Sequence, residues 1–248
     1  MKCSVMGIVN VTPDSFSDGG KFFSPDEAVR RAKNLVNEGA EIIDLGGEST
    51  RPGSVPIGWD EEWARIEPVI RGLSSLAKGR FALSVDTYHP ETAERAVEAG
   101  VNIVNCVYAA PVPEMLKICA KKGAELVIPF RIAGSVPAEN GDALTEIPNT
   151  DVPLYLDPMI GFGTTREDDL ALLGSVPAMS RLGRVLVGAS RKRIVKKLTG
   201  EKVAGKNVGG SVGIALWSAV HGAAVVRVHD VGETVQALKT YAACEGVI

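Results

Sequence analysis

The stretch RFALSVDTYHPETAERAVEAGVNIVNCV, residues 80–107, contains one complete unit of the fold. Arg80–Asp86 is a short, mostly apolar run, as a strand buried on both faces requires. A helical pattern follows over His89–Ala99, opened by Pro90, which suits a first helical turn, and by Glu91, which suits the positive helix N-terminus. Gly100 stops it, because glycine takes the left-handed conformation at little cost. Asn102–Val107 then starts a second apolar run. Strand, helix, glycine and strand in this order make the βαβ unit of a parallel sheet.

The same unit recurs on both sides of this stretch. Strand candidates are Cys3–Asn10, Ala40–Gly46, Arg80–Asp86, Asn102–Val107, Glu125–Arg131, Pro153–Asp157, Arg184–Gly188 and Ala223–Val228. Eight is the number that closes a (β/α)8 barrel. The expected fold is therefore an α/β TIM barrel, one domain over residues 1–248 with no linker. Ser24-Pro25-Asp26-Glu27 reads as a helix cap, a first-turn proline and two acids, in a helix that ends at Gly39. Pro113–Lys122, Glu167–Leu182 and Gly209–His221 are further helices, each followed by glycine. Trp217 on the last of these reads as core packing, with solvent or a partner as the alternative. The fifth unit differs: Ile132 to Pro153 carries Gly134, Pro137, Gly141 and Pro148 and no amphipathic pattern. A shortened or irregular fifth crossover is expected there. A doubly wound open sheet is the competing architecture, but no G-x-G-x-x-G follows the first strand.

Composition narrows the class of function. The 248 residues carry 27 basic and 30 acidic side chains, a formal net charge of −3, and are 45% hydrophobic. Such a balance gives no electrostatic reason to expect nucleic acid or an anionic membrane surface. No apolar run approaches the 18 residues or so of a membrane span. The four cysteines, at 3, 106, 119 and 244, are too far apart for a zinc knuckle or a C-x-x-C motif. Packed, reduced thiols and a cytoplasmic location are expected.

In a parallel barrel, chemistry collects where strands end, and polar residues stand there on nearly every strand. Asn10 closes the first, Asp44 the second, Asp86 the third, and Asn105 lies in the fourth. Asp157 closes the sixth, Ser190-Arg191-Lys192 the seventh and Arg227-Val228-His229-Asp230 the eighth. Singly, each has an ordinary reading as a cap, turn former or surface ion pair. Jointly they predict acceptors (Asp86, Asn105, Asp157) facing one another, with the cations Lys192 and Arg227 on the opposite side. Carboxylates accept paired N–H groups of an aminopyrimidine-type edge, and Asn105 can both donate and accept. Arg227 and His229 beside a helix N-terminus suit a phosphate group. The glycine-rich segments Asp14–Gly20 and Gly46–Gly53 read as loops that close over a substrate.

Several segments resemble the dihydropteroate synthases of the pterin-binding enzyme family. They are MGIVNVTPDSFSDGG (residues 6–20), IDLGGESTRPG (43–53), SVDT (84–87), LDPMIGFG (156–163), SRK (190–192) and RVHD (227–230). The resemblance implies a (β/α)8 barrel that joins 6-hydroxymethyl-7,8-dihydropterin pyrophosphate to an arylamine, usually p-aminobenzoate, and releases pyrophosphate. It implies pterin binding by Asp86, Asn105, Asp157, Phe162 and Lys192, and pyrophosphate binding by Asn10, Arg227 and His229, with Mg²⁺ at Asn10. Phe16, Thr50, Arg51, Pro52 and Ser190 would shape the arylamine subsite, and Asp18, Lys192 and Arg227 would carry catalysis. A homodimer is also implied. The chain departs from the family pattern at Cys106, at Phe130-Arg131, and at Met159 and Thr164. Phe130 reads either as a ring stacked on a pterin or as a core aromatic. Arg131 reads either as a counter-charge to substrate or as the partner of a surface acid. A different arylamine, or a silent pterin-binding relative, are the alternative functions.

Overall fold

The computed structural model describes residues 2–12, 24–49, 54–108, 110–136, 143–201, 203 and 205–246. Eight parallel strands close on themselves in chain order. They are β1 (Ser4–Asn10), β2 (Ile42–Gly46), β3 (Ala82–Asp86), β4 (Ile103–Asn105), β5 (Glu125–Pro129), β6 (Leu154–Asp157), β7 (Arg184–Val187) and β8 (Ala223–Val228). Around them run α1 (Pro25–Glu38), α2 (Trp59–Ala77), α3 (Pro90–Glu98), α4 (Val112–Lys122), α5 (Arg166–Met179), α6 (Arg193–Thr199), α7 (Val208–Val220) and α8 (Val231–Cys244). The expected barrel is present, and every expected strand appears within three residues of its expected ends.

Local signals explain where the helices begin and end. Ser24 Oγ accepts the Glu27 backbone N–H at 3.2 Å while the Glu27 carboxylate accepts the Ser24 N–H at 3.3 Å, a reciprocal capping box. Gly39 ends the helix at φ 109°, the left-handed region that a side chain would resist. Thr165 and Asp168 cap α5 in the same way. The helices are not distributed one per strand. Among the described residues none lies between β5 and β6, where Phe130 instead bridges to Leu144, while both α6 and α7 follow β7. The expectation of an irregular fifth crossover agrees with this. The long helix α2 has no counterpart among the helices expected from their caps. Its N-terminus, Gly58, has no capping side chain, and Pro68 lies in its interior. Packing forms it instead, through buried Trp63, Ile66, Val69, Ile70, Leu73 and Ala77.

Strand alternation divides the core in two. One cluster lies between strands and helices and includes Leu35, Ile43, Leu45, Leu83, Val104, Leu126 and Leu156. The other fills the barrel and includes Met6, Ile42, Ile103, Val127, Tyr155, Leu186 and Val225. Because side chains on a strand share a face every second residue, the next inward position on these strands is Ile8, Asp44, Asn105, Pro129, Asp157, Gly188 and Arg227. The lower half of the barrel is therefore plugged with apolar side chains, and its upper half turns polar.

Two core assignments follow from this partition. Phe130 is 2% exposed and belongs to the outer cluster, so of its two readings the core aromatic is the one observed. Trp217 corrects the expectation of core packing: it is 37% exposed and stacks on His221 at 4.0 Å. Cys106 and Cys119 are buried free thiols, whereas Cys244 is exposed.

Gly47, just past β2, is held against α2. A Cβ there would lie 2.9 Å from both Glu62 Cγ and Ile66 Cγ2 and 3.0 Å from the Glu62 carbonyl oxygen. Backbone cannot yield as a flexible side chain can. Gly47→Ala is expected to cost about 1–3 kcal/mol, read as a melting temperature several degrees lower in calorimetry; an unchanged melting temperature would contradict this close approach.

Candidate active site

The polar half of the barrel is organised around Asp44. Its carboxylate is fully buried and accepts from Ser84 Oγ at 2.6 Å, from Asn105 Nδ2 at 3.2 Å and from Arg227 Nε at 2.6 Å. Arg227 reaches on with Nη2 to Asp86, also at 2.6 Å. Four strands thus meet in one hydrogen-bonded group: β2, β3, β4 and β8. Burial disfavours the Arg227 charge, but Asp44 and Asp86 more than offset it, and the guanidinium is held above its ordinary pKa. Asp86 is governed by burial, which outweighs the attraction of Arg227 and pushes its pKa up to about 7.

This arrangement corrects the expected separation of acceptors from cations. Arg227 stands among the carboxylates, because inward alternation on β8 carries its side chain into the barrel. Asp44, given no ligand role from the sequence, is the hub. Its signal is a carboxylate inside the apolar run of residues 42–46, where a buried polar group requires hydrogen-bond partners.

Asp157 is 5% exposed at the end of β6; its Oδ1 accepts the Met159 N–H at 2.6 Å, and burial raises its pKa. Met159 takes φ 60° and packs into the inner cluster. Thr164, buried, donates to Asp169, which also accepts the Gly161 N–H at 2.8 Å, so the turn after β6 is tied down from α5. Lys192, just before α6, sends Nζ back to the Ile160 carbonyl at 2.7 Å and to 4.3 Å from the Phe162 ring centroid. Burial lowers its pKa to about 8 against the attraction of Asp157. Asp86, Asn105, Asp157, Lys192 and Phe162 therefore share one end of the barrel. Asn105 Oδ1 is buried there without a hydrogen-bond partner.

A second group lies beside it. Ser190 Oγ accepts the His229 backbone N–H at 3.3 Å and stands 3.2 Å from His229 Nδ1. His229 precedes α8, whose first turn begins at Val231, and Ser190 precedes α6, which begins at Arg193. Arg191, at φ 59°, pairs with Asp230, the residue just before α8. Asn10 ends β1 opposite Gly46. Among the described residues no group of three or more His, Cys, Asp or Glu side chains gathers to hold a metal. Phe16, Asp18, Thr50, Arg51 and Pro52 lie outside the described residues.

Arg131 is 5% exposed, and its Nε and Nη2 have no hydrogen-bond partner. It lies within electrostatic reach of Asp168, Asp157 and Asp169, yet burial dominates and lowers its pKa.

Residues 6–140 and 140–229 match the profile of the family described as pterin binding enzyme. This chain belongs to the pterin-binding enzyme family. Relatives bear this out over nearly the whole of this chain. The chain is 37% identical to the dihydropteroate synthase of Bacillus subtilis, covering 96% of this chain and 87% of that protein. It is 38% identical to a probable bifunctional folylpolyglutamate synthase/dihydropteroate synthase of Haloferax volcanii, of which it spans 30%. Among solved structures, the Xanthomonas albilineans dihydropteroate synthase with 4-aminobenzoic acid superposes with a TM-score of 0.85 at 37% identity, covering 100% of this chain and 94% of that one. The same enzyme in complex with 7,8-dihydropteroate gives 0.82 at 36% identity, covering 100% of this chain and 95% of that one.

Proposed function

We propose that this pterin-binding enzyme condenses 6-hydroxymethyl-7,8-dihydropterin pyrophosphate with p-aminobenzoate and releases pyrophosphate, the folate-forming transfer of a dihydropteroate synthase. The observation that carries the reading is the acceptor set: the partly buried carboxylate of Asp86, the buried one of Asp157 and the buried, unpartnered Oδ1 of Asn105. A 2-amino-4-oxo pyrimidine edge offers N–H donors that would complete these acceptors, and an unfilled buried acceptor costs about 1–3 kcal/mol. The names of the relatives support it.

The roles follow from position. Asp86, Asn105 and Asp157 fix the pterin edge, and Lys192 donates to its acceptor atoms beside Phe162. His229, just before α8, and Ser190, just before α6 and hydrogen-bonded to it, receive the pyrophosphate, with the N-terminus of α8 favouring its charge. Arg227 keeps Asp44 and Asp86 in place and balances the charge of the leaving group. As pyrophosphate departs, positive character grows on the pterin methylene; the amine attacks it, and positioning with electrostatic stabilisation supplies the acceleration. Asn10 offers one neutral oxygen, which fits a Mg²⁺ that keeps most of its ligands as water and phosphate; bound there, the ion would neutralise pyrophosphate. Exposed Trp217 and Val220 on α7 support a homodimer, and buried free thiols suit a reducing cytoplasm. Mixing both substrates with protein and Mg²⁺ should release one pyrophosphate per dihydropteroate formed. No product with p-aminobenzoate under these conditions would overturn the reading.

A further inference from the structure

Beyond the acceptors, the mouth of the site carries a ladder of aromatic rings. Tyr108, three residues after Asn105, lies near-parallel to Phe162, with centroids 5.9 Å apart and planes at 24°. Tyr88 meets Tyr108 edge-on at 6.2 Å and 72°. Tyr88 is itself anchored: its hydroxyl donates to Glu48 at 2.7 Å, and the other Glu48 oxygen lies 3.2 Å from His89 Nε2. Tyr88, Tyr108, Val107, Thr87, Glu48, Glu62 and Asp86 line one cleft, so the ladder borders the carboxylate that closes β3.

Tyr108 is the rung that fold stability does not account for. It is 50% exposed and belongs to neither apolar cluster, whereas Val107 before it is buried inside the barrel. Ring contacts hold it flat against Phe162 with much of its surface facing solvent. A planar heterocycle whose edge is bound by Asp86 and Asn105 has its faces left to cover, and offset stacking is the favoured arrangement for such rings.

We propose that Tyr108 is a specificity-determining residue that stacks on the pterin ring and, with Phe162, selects a flat bicyclic substrate. The inference rests on the pterin-transfer reading above. Stacking of this kind contributes affinity through the ring and not the hydroxyl, and truncation should touch the pterin alone.

The test compares Tyr108→Ala, Tyr108→Phe and the parent. Calorimetry with 6-hydroxymethylpterin gives binding, and steady-state assays give a separate KM for pterin pyrophosphate and for p-aminobenzoate. Tyr108→Ala should weaken pterin binding and raise its KM about tenfold, leave the p-aminobenzoate KM within about twofold and keep the parent's melting temperature, since the residue is half-exposed. Tyr108→Phe should match the parent. Unaltered pterin affinity in the alanine variant, an equal loss in the phenylalanine variant, or a loss confined to p-aminobenzoate would each overturn the proposal. A parent that binds pterin but releases no pyrophosphate would instead overturn the transfer reading, and calorimetry on the variants would still decide the role of Tyr108.

Discussion

Arg227→Met is expected to destabilise the fold by about 3–5 kcal/mol, a larger loss than any other single change at the site. The reason is the state it leaves behind. Asp44 is fully buried and would keep only Ser84 and Asn105, two neutral donors, in place of the guanidinium at 2.6 Å. Asp86 would lose the same partner at 2.6 Å. A buried pair is not itself strongly stabilising, because desolvation of both charges opposes their attraction; what costs most is an uncompensated charge. Removing both partners should therefore restore much of the loss. Arg227→Met combined with Asp44→Leu is expected to melt above the single Arg227 variant, a coupling that a double-mutant cycle measures directly. Thermal unfolding of the four proteins under one set of conditions checks it. Additive losses in the cycle would mean that the two side chains act independently, contrary to the geometry.

The same group of residues shows what could be read from residues alone. Barrel topology was legible because each βαβ unit carries its own local signals: an apolar run, a cap, a first-turn proline or acid, and a glycine stop. The helix α2 carries first-turn acids (Asp60, Glu61, Glu62) and Gly79 just past its end, but it has no capping side chain and a proline in its interior, and tertiary packing holds it. Site residues at strand ends were legible as a set, since a barrel sends them to one face. Who pairs with whom was not. Sequence order says that Arg227 stands on the eighth strand, but only closure of the barrel brings β8 across to Asp44, 183 residues earlier. Arg131 shows the same limit in another way. Two positions beyond Pro129 on β5, its environment depends on how the irregular fifth crossover folds back through Leu144, a contact with no local signature.

Asp86→Asn is expected to lower kcat/KM at least about hundredfold and to remove the acid limb of its pH profile. An asparagine of the same shape presents one neutral acceptor, and its amide N–H group would face a substrate N–H. Losing a charge-assisted hydrogen bond and opposing two donors together amount to about 3 kcal/mol, which is the hundredfold. In the parent, kcat/KM reports groups of the free enzyme. Asp86 must be charged to accept and carries a pKa of about 7, while Lys192 must be protonated to donate and carries one of about 8. Activity should therefore rise with pH through about 7 and fall above about 8, a narrow bell. Folding responds with the opposite sign on the acid side. Because burial raises the Asp86 pKa from 3.8 to about 7, the native state binds this proton more tightly than the unfolded chain. Its contribution to stability is greatest at low pH and declines as pH rises through that interval. Near pH 8 the asparagine variant, in which Arg227 still holds Asp44, is expected to melt no lower than the parent. Loss of activity without loss of stability is then the signature of an acceptor that serves the substrate. An acid limb that persists unchanged in the variant would assign it to Asp157, a buried carboxylate whose pKa burial also raises, and a loss below tenfold would remove Asp86 from the recognition of the pterin edge.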